Sequence, residues 1–345
     1  MNASKDLQSL QHTIDTTRTL IDQFMTSLKS GWSKSNASSD APSPQPLHLL
    51  STAASLLRAQ ITKLSLLLLN KPFTPTAIDH ILRTISSSVL PSLMTAWGLC
   101  YRDSFPVLLQ EHVKKGLGTI MREIILLLDS IPVNENGIER EIGSRDTLAN
   151  TGVLWEVCDQ MVKIGDDGVG KLALQRAKEY LELFEDAINE MEACVSGESD
   201  DFMTSLSDSE EEESEDRREE DVSARMAMKS EALAMFRDIR PCALELPNLL
   251  NDFPMLNKQT KINTPNNHGP TLEQTYLLDA IVDILHRLTQ DTDELVGALY
   301  TNDSAEAEKG MGNLRLIKEQ CEHLKPGAWA QADGLSDWSL GILKR

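Results

Sequence analysis

Apolar residues recur along this chain in alternating steps of three and four, and no segment alternates in steps of two. Leu7, Leu10, Ile14, Thr17, Ile21, Phe24 and Leu28 follow that rule strictly. The spacing lays one narrow stripe along about six helical turns, the pattern of a helix packed in a bundle. Such a helix must bury its stripe against other helices, so the feature predicts an all-α, antiparallel helical-bundle fold. Aromatics are few, at 5%, while Leu, Ala, Ser and Glu are frequent, a balance that suits helices better than sheets.

The remaining elements follow from the same period and its breaks. Residues 30–46, SGWSKSNASSDAPSPQP, read as a flexible loop. A second helix is predicted from Leu47 to Asn70 with Leu50, Ala53, Leu57, Ile61, Leu64 and Leu68 inward. It is apolar around most of its circumference, so it belongs at the centre of its bundle. Pro72 ends it, and Thr74-Pro75 opens a third helix carrying Ile78, Leu82, Ile85, Val89 and Leu93. Pro91 is expected to kink that helix or end it early. A fourth helix, about Asp103–Asp129, buries Leu109, Val113, Leu117, Ile120, Ile124 and Leu127. A loop then leads to a fifth, near Leu148–Ile164, and a sixth, about Val169–Val195.

The stretch 196–222 breaks the pattern. It holds thirteen acidic residues and two arginines, a net of −11 within a chain whose formal charge is −20. Segments of that composition cannot bury enough apolar surface to fold, so 196–222 is expected to be a disordered acidic linker. It divides the chain into an N-terminal bundle (1–195) and a C-terminal helical region (223–345). In the latter, a helix from Arg225 to Ile239 places Met226, Leu233 and Phe236 inward and stops at Pro241. Residues 248–269 read as loop, and Thr271 with Gln274 forms a capping box for a helix with Leu277, Leu278, Ile281, Ile284, Leu285 and Leu288 in its core face. A last helix runs about Ser304–Leu324, and the tail after Pro326 is expected to dock in part through Trp329 and Trp338.

Within the acidic stretch, Ser205, Ser207 and Ser209 each have an acidic residue three positions on (Asp208, Glu210, Glu212). Kinases with basic substrate grooves prefer such sites, and each phosphate adds about −1.5 to −2 charge. The expectation is phosphorylation that tunes a basic partner surface.

Charge also excludes function classes. At −20, without a Lys/Arg cluster, the chain repels nucleic-acid backbones and anionic lipid surfaces, so neither is an expected partner. The apolar runs at 66–69 and 124–128 fall short of a membrane span of about 18 residues, and the polar start MNASKDLQSLQ predicts no secretory leader. Five scattered cysteines without a CxxC pair read as small buried hydrophobes in a reducing compartment.

No motif carries catalysis, a cofactor or a metal. Gly165-Asp-Asp-Gly-Val-Gly-Lys171 has the spacing of a phosphate loop, but Leu172 replaces the required hydroxyl residue, and Asp166 and Asp167 would oppose a phosphate. An inter-helix turn is predicted there. Cys321 and His323 stand two apart, which points them to different faces of a helix and away from a shared zinc. Neither HExxH nor a GxSxG elbow occurs.

Two stretches resemble a known family. Ile61-Thr-Lys-Leu-Ser-Leu-Leu-Leu-Leu-Asn-Lys-Pro72 is similar to the second helix of the cyclin-D-interacting proteins (GCIP, cyclin-D-binding-protein-like). So is Thr151-Gly-Val-Leu-Trp155-Glu-Val-Cys-Asp159, and the order of parts matches, with an acidic insertion after a helix ending in EMEAC. The resemblance covers most of residues 45–325. It implies an all-helical fold of the talin and vinculin class and a non-enzymatic regulator of cell cycle and transcription in nucleus and cytoplasm. It further implies cyclin-like or signalling-adaptor partners. A cytoskeletal or adhesion-type scaffold is the alternative the bundle alone permits. Binding is expected either by a partner helix entering an inter-helix groove, with little salt dependence, or by the acidic stretch meeting a basic surface, with steep salt dependence.

Overall fold

The apolar stripes fold as helices. The computed structural model describes residues 2–31, 45–70, 72–102, 105–134, 137–138, 144–196, 215–251 and 272–324. Its helices are α1 (Asn2–Ser30), α2 (Pro46–Leu69), α3 (Pro75–Thr84), α4 (Leu90–Arg102), α5 (Val107–Asp129), α6 (Ser144–Asp167), α7 (Val169–Ser196), α8 (Glu215–Asn251), α9 (Leu272–Thr301) and α10 (Ser304–His323). A π turn, Ile85–Val89, joins α3 to α4. Between α5 and α6, two-residue strands β1 (Val133–Asn134) and β2 (Gly137–Ile138) pair antiparallel within the predicted loop.

The described residues separate into two compact units, the first ending at Leu172 and the second beginning at Ala173. In the first, α2 packs on α3, α4 and α6, while α5 packs on α1, α4 and α6. By length and composition α2 could cross a membrane. Here Leu50, Leu57, Ile61, Leu64 and Leu68 are instead buried against protein, each contributing about 1.5–3 kcal/mol of burial. In the second unit, α9 and α10 pack on each other and on α8. Phe184 of α7 meets Phe236 of α8 edge to face at 6.1 Å, and the Thr289 hydroxyl of α9 donates to the Tyr180 carbonyl of α7 at 3.2 Å.

Several expectations change. The boundary read at 195/196 falls instead at 172/173, so most of α7 belongs with the later helices. Of the stripe its spacing predicts (Ala177, Tyr180, Phe184, Ala187, Met191 and Cys194), Ala177, Phe184, Ala187 and Met191 are buried, Tyr180 is half-buried, and the Cys194 side chain lies outside those described. A stripe shows that a helix is packed, however, and does not name its neighbours.

Pro91 neither ends the third helix nor leaves it broken. It lacks an N–H, so a regular turn would orphan a carbonyl; the chain absorbs this by widening to the π turn, where the Leu90 N–H reaches the Ile85 carbonyl. The helix then continues to Arg102 and buries Trp97, which the early stop would have left in a loop.

The acidic linker also changes in extent. Residues 197–214 lie outside the described residues, but 215–222 are helical as the start of α8. Glu215, Asp216, Glu219 and Glu220 stand near a helix N-terminus, where the dipole favours negative charge and Glu is a good helix former. Met226, expected inward, is 40% exposed, because the packed part of α8 begins at Ala232. Pro241 lies within α8, on its exposed face, and not at its end. The capping Thr271, Trp329, Trp338 and loop positions 32–44 lie outside the described residues.

Candidate interaction surface

The two stretches that carry the family resemblance, 61–72 and 151–159, meet along one seam. Helices α2 and α6 run antiparallel there, in a register fixed by four polar contacts. The Ser51 hydroxyl donates to Asp166 at 3.0 Å, and the Arg58 Nε pairs with Asp159 at 2.8 Å. The Trp155 indole N–H donates to the Thr62 hydroxyl at 3.0 Å, and the hydroxyls of Ser65 and Thr151 lie 2.6 Å apart. Thr151 Oγ1 also lies 2.6 Å from the Thr147 carbonyl and Ser65 Oγ 2.9 Å from that of Ile61; with one proton each, one hydroxyl donates across the seam and the other to its own helix carbonyl. These buried hydroxyls thus satisfy one another inside an apolar core, which fixes the register of the two helices.

At one end of the seam Gly165 sets the separation. A Cβ there would lie 2.4 Å from the Ser51 Cβ and 2.7 Å from the Leu47 carbonyl oxygen, so only glycine lets α6 approach so closely. Gly168, with φ +83°, then closes α6 in the left-handed conformation, its N–H reaching the Ile164 carbonyl at 2.9 Å. The phosphate-loop spacing is therefore an inter-helix turn, as the sequence predicts. Lys171 pairs with Asp167 at 2.6 Å.

The outer face of the seam is apolar at its other end. Trp155 is half-buried, with the Arg58 guanidinium 5.5 Å from the centre of its ring. Leu66 follows Ser65 on α2 and is 54% exposed; Leu148 precedes Thr151 by one turn on α6 and is 55% exposed. Exposed Gly152 stands between Leu148 and Trp155 in the sequence and adds no side chain to cover them. A half-buried tryptophan flanked by two exposed leucines on rigid helices is the composition of a protein-recognition patch.

Cysteine chemistry is quiet. Burial pushes the Cys158 thiol up to about 12, with Asp159 adding to the shift and Arg58 opposing it. Burial likewise raises Cys321 to about 12. Both stay as neutral thiols, poor nucleophiles and poor metal ligands. Cys100 and Cys242 are buried as well. Cys321 is buried near the end of α10 while His323 is exposed, and among the described residues no cluster of three His, Cys, Asp or Glu could hold a metal. Ser205, Ser207 and Ser209 lie outside the described residues.

Sequence reasoning located Trp155 and both stretches but missed Arg58, Ser65, Leu66 and Leu148 as parts of one surface. The available signal was a hydroxyl residue (Ser65, Thr151) inside an otherwise apolar segment.

Residues 49–197, which include both helices of the seam, match the family model described as Grap2 and cyclin-D-interacting, N-terminal. That part of the chain is similar to this family. A relative, an uncharacterized protein of Schizosaccharomyces pombe, is 26% identical over 176 residues, covering 51% of this chain and 52% of that protein. The chain thus spans about half the length of the relative it matches.

Proposed function

We propose that this protein is a non-enzymatic interaction module of the cyclin-binding kind, regulating cell cycle or transcription in nucleus and cytoplasm. One observation supports it most: the family match covers the α2–α6 seam, whose outer face presents Trp155, Leu66 and Leu148. A D-type cyclin or a signalling adaptor is the partner of this reading, and it docks by apolar contact on that face. Ser205, Ser207 and Ser209 are its phosphorylation sites; intact-mass measurement on protein from its native cell, finding no phosphate, removes that part alone.

Calorimetric titration of the full chain with a purified D-type cyclin tests the partner. The expected result is saturable binding that Leu66→Asp with Leu148→Asp weakens at least about tenfold, or 1.4 kcal/mol. Both side chains are more than half exposed, so the double variant keeps its helical circular dichroism. Absent binding, or binding indifferent to both substitutions, overturns the reading.

A further inference from the structure

A second surface lies in the second unit, along the seam between α7 and α8. The two helices run antiparallel, held by Arg240 on Glu185 at 2.7 Å and by Arg237 on Glu192 at 2.8 Å. Beyond the Arg240–Glu185 pair the seam opens into a groove of about 430 Å³ lined by Lys178, Leu181, Glu182, Glu185, Asp186, Arg240 and Leu244. Its apolar surface comes from two leucines: Leu181 is 7% exposed, while Leu244 stands 44% exposed on the α8 side.

Charge distinguishes this groove from an ordinary gap between helices. Arg240 is taken up by Glu185. Glu182 and Asp186 are exposed and make no ion pair among the described residues, and Glu245 adds a third exposed carboxylate beside Leu244. Of the two lining cations, Lys178 alone is outside an ion pair among the described residues, set against Glu182 and Asp186. The groove is open to solvent and shallow, which suits a ridge of side chains from a partner better than an enclosed small molecule. From Lys178 to Glu185 it follows α7 for about two turns, roughly 10 Å, which leaves room for two anchors spaced i and i+4 on a helix, about 6 Å apart.

From this we infer that the α7–α8 groove docks a basic amphipathic helix of a partner protein. An apolar pair spaced i, i+4 sits on Leu181 and Leu244, and flanking Lys or Arg faces Glu182, Asp186 and Glu245. The inference rests on the reading of the chain as an interaction protein but not on a cyclin being the partner. The leucines supply contact that salt does not weaken, and the carboxylates set orientation and exclude acidic helices.

The test uses the full chain and a fluorescent 18-residue helical peptide with leucines at i, i+4 and lysines on either side, followed by anisotropy. Binding is expected to fall at least about tenfold with Leu244→Asp, and comparably with Glu182→Lys plus Asp186→Lys, all exposed positions whose variants keep the helical dichroism. A peptide with glutamates in place of the lysines is expected not to bind. Equal binding of both peptides, or lysine-peptide binding indifferent to all three substitutions, overturns the inference; in the second case the acidic stretch is the electrostatic attractor. Failure of the cyclin titration with groove-dependent peptide binding intact defeats the proposed partner alone, and the reverse pattern defeats the groove alone.

Discussion

The two units use one helical period and differ in what they do with polar groups. In the first, the buried polar atoms of the α2–α6 seam are hydroxyls that bond one another and backbone carbonyls. The carboxylate of Asp79 is raised by burial, yet this is outweighed by Arg83, Thr13 and Ser9, which hold it below the usual range. In the second unit the balance reverses. Burial raises Asp291 more than its bond from the Asn313 amide, 3.2 Å long, lowers it, and Glu294 adds to the rise. Burial and the neighbouring Glu190 raise Asp293 as well. Asp79 of the first unit therefore stabilises the fold when ionised, while Asp291 and Asp293 of the second oppose it once they ionise.

The largest test of the contrast concerns what the units share. Trp97 and Phe236 are fully buried, one in each unit. Trp97→Ala and Phe236→Ala should each cost about 3–5 kcal/mol, measured by denaturant unfolding and by exchange of amides in the helices around them. A cost under about 1 kcal/mol for either would mean that unit lacks the packed core described. Close approach should separate the units next. Gly165→Ala meets backbone and should cost about 1–3 kcal/mol, despite the better helix propensity of alanine. At Gly310 the nearest atom to an added Cβ is 3.1 Å away, so Gly310→Ala should cost less; equal costs would break the comparison. Gly118→Ala, with nothing within 4 Å, should instead stabilise by about 0.5–1 kcal/mol.

Smaller effects sharpen the polar contrast. Ser65→Ala removes one partner of the buried hydroxyl pair and should cost about 1 kcal/mol, more than the same change at an exposed helical serine. The smallest effect is a pH dependence. A carboxylate whose folded pKa is raised opposes folding once ionised, so Asp291 lowers stability at neutral pH, a cost relieved as pH falls through its raised folded value. Asp79, with a lowered folded pKa, contributes stability above its ordinary value of 3.8 and loses it as pH falls through its depressed folded value. Asp291→Asn should therefore raise the thermal midpoint at pH 7 and bring progressively less benefit as pH drops below the carboxylate range. Asp79→Asn should lower it at pH 7. The same sign for both variants at pH 7 would refute the reversal.

The periodicity made the helices legible. Leu10, Ile21, Leu57, Val113 and Leu285 are buried where their spacing put them, and the Gly165–Lys171 turn was correctly separated from a phosphate loop by Leu172 and the two aspartates. The turn at Gly168 is itself the inter-helix turn expected there, and nothing about nucleotide binding follows from it; what the stripes could not carry was partnership. Nothing in the spacing of Phe184 says that Phe236 lies opposite it, so α7 was grouped with the wrong helices. Proline as a helix end was over-read for a related reason: a π turn accommodates Pro91, and α8 runs through Pro241. The seam was legible only as two isolated motifs, because the contact between Thr62 and Trp155 spans 93 residues.

The most direct measurement is hydroxyl-radical footprinting of the full chain with and without a purified D-type cyclin. Oxidation of Trp155, Leu66 and Leu148 is predicted to slow on binding, while Val107 and Leu126, exposed elsewhere in the first unit, keep their rates. Binding that leaves those three side chains unchanged and shields Val107 or Leu126 would contradict the account, as would no binding at all.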